Sequence, residues 1–138
     1  MLSKVTKITA MIAGIAVLGF VFSPSVTMGQ AKDELARGRK LYNQYCASCH
    51  GMDAKGSGPV AASLKTAPSD LTTIAKRHDG KFDPVHIQLN ISGEKDIPAH
   101  GTKDMPVWGA YFRNTKGQSV STLNIYALTK YIEAVQAK

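Results

Sequence analysis

The sequence predicts an all-α domain, and two observations carry that prediction. Residues 33–46 and 123–135 both place apolar side chains at three- and four-residue spacing, the period of a helix with one buried face. Between them the chain is punctuated by helix-start signals, Ser69-Asp70 and Asp83-Pro84.

The first 31 residues stand apart from this pattern. Lys4 and Lys7 precede an apolar run from Ile8 to Phe22, followed by Ser23-Pro24-Ser25 and small residues. This reads as a secretory signal peptide, with cleavage expected after Gly29 or after Ala31. The uncharged run holds 15 residues, short of the roughly 20 needed to span a bilayer. Cleavage is therefore favoured over an uncleaved anchor. Of the 138 residues, about 107 to 109 remain, enough for one domain spanning 32–138. Loss of the two lysines takes the formal charge from +7 to +5. A basic balance can indicate nucleic acid, an anionic membrane or an acidic protein, and export removes nucleic acid from consideration.

The first helix is expected from Asp33 to Cys46, with its acidic start at the positive end of the helix dipole. Leu35, Gly38, Leu41, Tyr42 and Tyr45 form its stripe. Gly38 is the odd member, because glycine inside a helix costs about 1 kcal/mol relative to alanine; a second helix crossing at close approach would account for it. The last helix, Leu123 to Val135, offers the matching stripe of Leu128, Tyr131, Ile132 and Val135. Between them, Gly51 to Pro59 reads as a glycine-rich loop tight against the site, and Gly58-Pro59 can start a short helix through Leu64. Ser69-Asp70 caps a helix from Leu71 to about His78, and Asp83-Pro84 opens another that stops at Gly93.

The chemistry is concentrated in Cys46-Ala47-Ser48-Cys49-His50, which uses both cysteines of the chain. C-x-x-C-H is the attachment signature of c-type haem. Two thiols at this spacing can each add to one vinyl group of the same porphyrin, and the histidine that follows offers an imidazole to the iron. A redox dithiol wants a preceding strand in a βαβ setting, whereas a helical pattern precedes this motif. A structural zinc site wants four ligands, and there is no second cysteine pair.

The chain resembles class I cytochromes c on more than this motif. Gly38 and Tyr42 stand eight and four residues before Cys46, like the glycine and aromatic residue of that family's first helix. Leu128-x-x-Tyr131 is similar to its last-helix motif. The resemblance covers the whole mature region. It implies three to five helices wrapped round one covalently attached haem, and a role as an electron carrier rather than an enzyme. Pro59 resembles the family proline whose carbonyl accepts a hydrogen bond from the proximal histidine. His100-Gly101-x-x-Asp104-Met105-Pro106 resembles the family loop whose methionine binds the iron.

Met105 lies 55 residues beyond His50 in an extended setting before Pro106, far enough to return to the other face of a porphyrin. The expected iron ligands are therefore His50 and Met105. His100 is the runner-up; His78 and His86 are more distant, with structural or exposed roles, and a methionine in this position can also be plain core. Trp108 is expected to pack on the haem, its indole N–H within reach of a propionate. Lys55, Lys65, Lys95 and Lys103 are candidates for a basic ring that steers an acidic redox partner. A periplasmic monomer that meets membranes only transiently or through a bound partner fits these features. Two alternatives stay open: a haem subunit of a larger oxidase or dehydrogenase, and a haem protein that binds a small ligand or peroxide at a displaceable methionine.

Overall fold

A computed structural model describes residues 25–94 and 105–137, with side chains from residue 29 onward. The described chain is helical and, among those residues, contains no strand. The elements are α1 (Ser25–Tyr45), α2 (Ala47–His50), a 3-10 turn at Ala61–Ser63, a second at Leu71–Thr73 running into α3 (Ile74–Arg77), α4 (Pro84–Ser92), α5 (Trp108–Lys116) and α6 (Gln118–Ala134).

The first and last helices pack together along α1 and α6. At Gly38 the approach is so close that a Cβ would collide with the Ala127 carbonyl oxygen and stand 2.9 Å from Tyr131 Cβ. The missing side chain is therefore a geometric requirement of the crossing. One turn further along α1, Tyr42 is fully buried beside Leu128, its ring 5.1 Å from that of Tyr131. Burying a side chain the size of Leu128 contributes about 1.5–3 kcal/mol. At the rim of the crossing, the Arg37 guanidinium donates to Asn124 Oδ1 through Nε (3.2 Å) and Nη2 (2.7 Å).

The remaining elements close round one side of this pair. α4 begins as its sequence requires: Asp83 caps it by accepting from the N–H groups of Val85 and His86, and Pro84 takes the first turn. It ends at Gly93, whose left-handed φ of 72° suits a residue without a Cβ. α5 packs against α6 through buried Phe112, and Ser121 Oγ donates to the Gly109 carbonyl. After α6 the chain is pinned back on the 71–75 turn. Gln136 Nε2 donates to the Leu71 carbonyl, its Oε1 accepts from Ala75 N–H, and Ala137 N–H donates to Thr72 O.

Several expectations are revised in detail. The described part of α1 is helical from Ser25, eight residues before Asp33, and runs through the expected cleavage region. The helix expected from Leu71 to His78 is a 3-10 turn followed by a single α-turn, and the one through Leu64 is a 3-10 turn. The extended setting expected round Met105 covers just residues 105–107 of those described; α5 begins at once at Trp108. The expected signal segment up to residue 24, together with Lys95, His100, Lys103 and Asp104, lies outside the described residues.

Replacing Gly38 by valine is expected to destabilise the domain by about 3 kcal/mol, the upper range for overpacking. That corresponds to a fall in melting temperature of roughly 10–20 °C for a domain this size, read by thermal circular dichroism. A fall of only a degree or two would mean that α1 and α6 do not meet at this glycine.

Candidate functional site

α1 delivers the site. One residue past its end, Cys46 starts the single turn of α2, and its carbonyl accepts from both Cys49 N–H (3.2 Å) and His50 N–H (2.9 Å). In a helical turn, positions i, i+3 and i+4 share a face, so the two thiols and the imidazole emerge together. The turn is held from behind by Tyr42, whose buried hydroxyl donates to the Gly51 carbonyl at 2.7 Å. Burial raises the Tyr42 pKa well above the usual phenol value, so the hydroxyl stays a donor throughout the physiological range.

All three motif side chains line a cavity of about 1150 Å³. Its apolar lining includes Ile74, Ile87 and Ile91, each of them buried. Met105, Pro106, Val107 and Trp108 line the same cavity from a separate stretch of chain. Trp108 belongs to an aromatic cluster: its ring centroid is 5.2 Å from Tyr45, 5.7 Å from Tyr111 and 6.2 Å from Phe112. Met105 is 41% exposed, so it stands at the mouth of the cavity.

The ring of His50 is oriented by a backbone carbonyl. Its Nδ1 lies 3.0 Å from the oxygen of Ser69. A carbonyl only accepts, so Nδ1 carries the proton and Nε2 keeps its lone pair. Burial holds the His50 pKa below its usual value, against the opposing pull of the Ser69 carbonyl. The imidazole is thus neutral near pH 7, as a metal ligand must be. Burial, with a smaller push from Cys49, raises the Cys46 thiol to about 12. A thiol of that kind is a poor candidate for thiol–disulfide exchange, which runs on thiolates.

Ser69 takes the place expected of Pro59, and the reason is the path of the loop. Gly58 N–H donates to the Cys49 carbonyl and Val60 N–H to Ser48, and a Cβ on Gly58 would collide with the Ser48 carbonyl. The loop therefore folds onto the backbone of α2, leaving Pro59 exposed and outside the cavity lining. The Pro68-Ser69 backbone comes to the site instead, close against Gly56. Asp70 secures that approach, accepting from Thr72 N–H (2.8 Å) and Thr72 Oγ1 (2.6 Å). The sequence held the signal for this, since Asp70 is a cap residue directly after Ser69.

His78 and His86 both line the cavity, their ring centroids 6.4 Å apart. Arg77 and Lys81 join them, with Asp79 and Asp83 of opposite charge. Lys55 and Lys65 are exposed but line no part of it. Among the described residues no cluster of His, Cys, Asp or Glu is suited to hold a further metal ion.

The residues present fit a covalently attached haem: two thiols and a neutral imidazole on one face of a turn, opening into a large apolar cavity. The model of the family described as cytochrome c oxidase, cbb3-type, subunit III, matches residues 33–117. The chain belongs to this family. Domains of the cbb3-type subunit III family carry covalently attached haem c with its iron, so the chain is a c-type cytochrome with an all-α fold like that of class I. Its work is electron transfer between redox partners. No match to a curated protein or to a solved structure was found.

Asp70→Ala is expected to cost about 1 kcal/mol at pH 7, the usual worth of a helix-start cap. The Thr72 hydroxyl, ahead of other causes, lowers the Asp70 pKa from its ordinary 3.8. A lowered folded-state value contributes stability above the unfolded value, and that stability is lost as pH falls through the folded one. Urea unfolding should therefore show the gap between variant and wild type closing below about pH 4. A gap unchanged down to pH 2 would count against an ionised cap.

Proposed function

We propose that this protein is an exported c-type cytochrome that carries single electrons between protein partners, its haem iron held by His50 and Met105. The observation that carries the reading is the shared cavity, lined at once by Cys46, Cys49, His50, Met105 and Trp108. When bound, the haem supplies a one-electron change between ferrous and ferric iron.

The chain's residues prepare for that change. Cys46 and Cys49 would hold the group covalently, as thioethers. Ser69 holds the His50 ring so that Nε2 is presented as a lone pair. Ile74, Ile87, Ile91 and Trp108 give the interior an apolar lining, and an apolar setting favours the iron state of lower charge. Met105 offers a neutral thioether from the mouth of the cavity. With His50 and Met105 both serving as ligands, the bound group would offer no free position to a substrate. Arg77 and Lys81 at the cavity are balanced by Asp79 and Asp83, so an acidic partner would be drawn by the basic balance of the whole chain. Export agrees with the charged and apolar start of the sequence, and no helix among the described residues is long and apolar enough to cross a membrane.

A second reading is favoured by the family description itself: a haem subunit that works inside a larger oxidase. Every residue above serves either role. Gel filtration of the native protein separates them, a free monomer supporting the carrier and co-migration with other subunits supporting the alternative.

The ligand assignment is tested by absorption spectroscopy of the holoprotein. The oxidised wild type should show a sulfur-to-iron charge-transfer band, and the reduced form should not change on addition of carbon monoxide. Met105→Ala should abolish the band and admit carbon monoxide. A wild type without the band that binds carbon monoxide rapidly would point to an open site for small ligands.

A further inference from the structure

Beside the haem cavity, three helices enclose a second, smaller cleft of about 350 Å³. α1 lines it with Arg37, Lys40 and Gln44, at three- and four-residue spacing on one helix face. α5 adds Phe112 and Lys116, and α6 adds Asn124. Three cations thus meet in one concave wall, and no Asp or Glu lines it.

These cations have no counter-charge within the chain. The ion pairs among the described residues join Arg113 to Glu94 and Lys130 to Glu133, leaving the cleft out. Arg37 is held instead by the neutral Asn124, whose Oδ1 accepts from Nε and Nη2. That contact fixes the direction of the guanidinium and leaves its charge whole. At the haem cavity, by contrast, Arg77 and Lys81 face Asp79 and Asp83. An acidic group is therefore drawn to the cleft and not to the cavity.

The cleft also adjoins the redox site. Gln44 and Tyr45 line both spaces. The Tyr45 ring lies 5.2 Å from Trp108, which lines the haem cavity, and 5.2 Å from Phe112, which lines the cleft.

We propose that this cleft is the docking site for an acidic protein partner, whose carboxylates seat against Arg37, Lys40 and Lys116. The inference rests on the reading of this protein as an electron carrier, and it says where the partner sits. A lipid surface is flat and meets groups that protrude, whereas a cleft of this size admits individual side chains. A carboxylate here meets a guanidinium already aligned by Asn124, the geometry that makes such contacts specific. A partner so docked stands across Tyr45 from the haem cavity without entering the mouth at Met105.

The test follows reduction of the ferric holoprotein by the hydroquinone of an acidic flavodoxin, which gives one electron to the iron and becomes the semiquinone. Duroquinol, an uncharged reductant, is the control. The ionic strength is about 0.1 M, where exposed charges more than about 10 Å apart are largely screened. Lys40→Glu/Lys116→Glu is compared with Lys65→Glu/Lys76→Glu, which makes the same change in net charge at exposed positions lining neither space. We expect the first pair to lower the flavodoxin rate constant about tenfold, the low end of electrostatic steering, and the second pair less than about threefold. Both should keep the wild-type rate with duroquinol. Equal falls in the two variants would overturn the proposal, leaving attraction by overall charge alone. No fall in the first pair would overturn it too; loss of binding to phosphatidylglycerol vesicles in that variant would then make the cleft a membrane contact. Failure of duroquinol to reduce the wild type would bring down the carrier reading, and this inference with it.

Discussion

The closeness of α1 and α6 at Gly38 is the constraint on which the rest of the domain depends. With nothing but hydrogen on Gly38, the backbone of α6 comes into direct contact, and Tyr42 and Leu128 are buried completely one turn on. Tyr42 passes that rigidity to the site, because its hydroxyl holds the Gly51 carbonyl just past His50. The motif is therefore fixed at both ends: Cys46 by the end of α1, Gly51 by the tyrosine. A one-turn helix such as α2 is too short to be stable alone; it is a continuation of a packed helix pair.

The interior of the cavity is arranged to be electrically quiet. Burial raises the Cys46 thiol and lowers His50, and both changes leave the group neutral. Charge is kept to Arg77, Lys81, Asp79 and Asp83. Neutral donors in an apolar site favour the less charged state of a bound metal.

Much of this was legible because certain residues have only one good explanation. C-x-x-C-H announced the cofactor, Gly38 announced a helix crossing, and Asp83-Pro84 with Gly93 marked both ends of α4. What was not legible depended on backbone paths. Whether Pro59 or Ser69 offers its carbonyl to His50 is decided by Gly58 packing on Ser48 and Gly56 on Pro68, contacts no local pattern encodes. α5 was hidden by Pro106, which governs the residue before it and says little about Trp108, two residues later.

The pairing of α1 with α6 also governs how the chain comes together. Arg37 and Asn124 meet across 87 residues, so this helical domain does not fold by local contacts alone. Bringing such distant segments together carries a loop-closure entropy that a bundle of neighbouring helices avoids, and non-local contacts of this kind slow folding. The 71–75 segment, which leads into the four-residue α3, gains its bonds to Gln136 and Ala137 only once the end of α6 is in place. During synthesis from the N-terminus, α1 must wait for almost the entire domain to emerge before its partner exists.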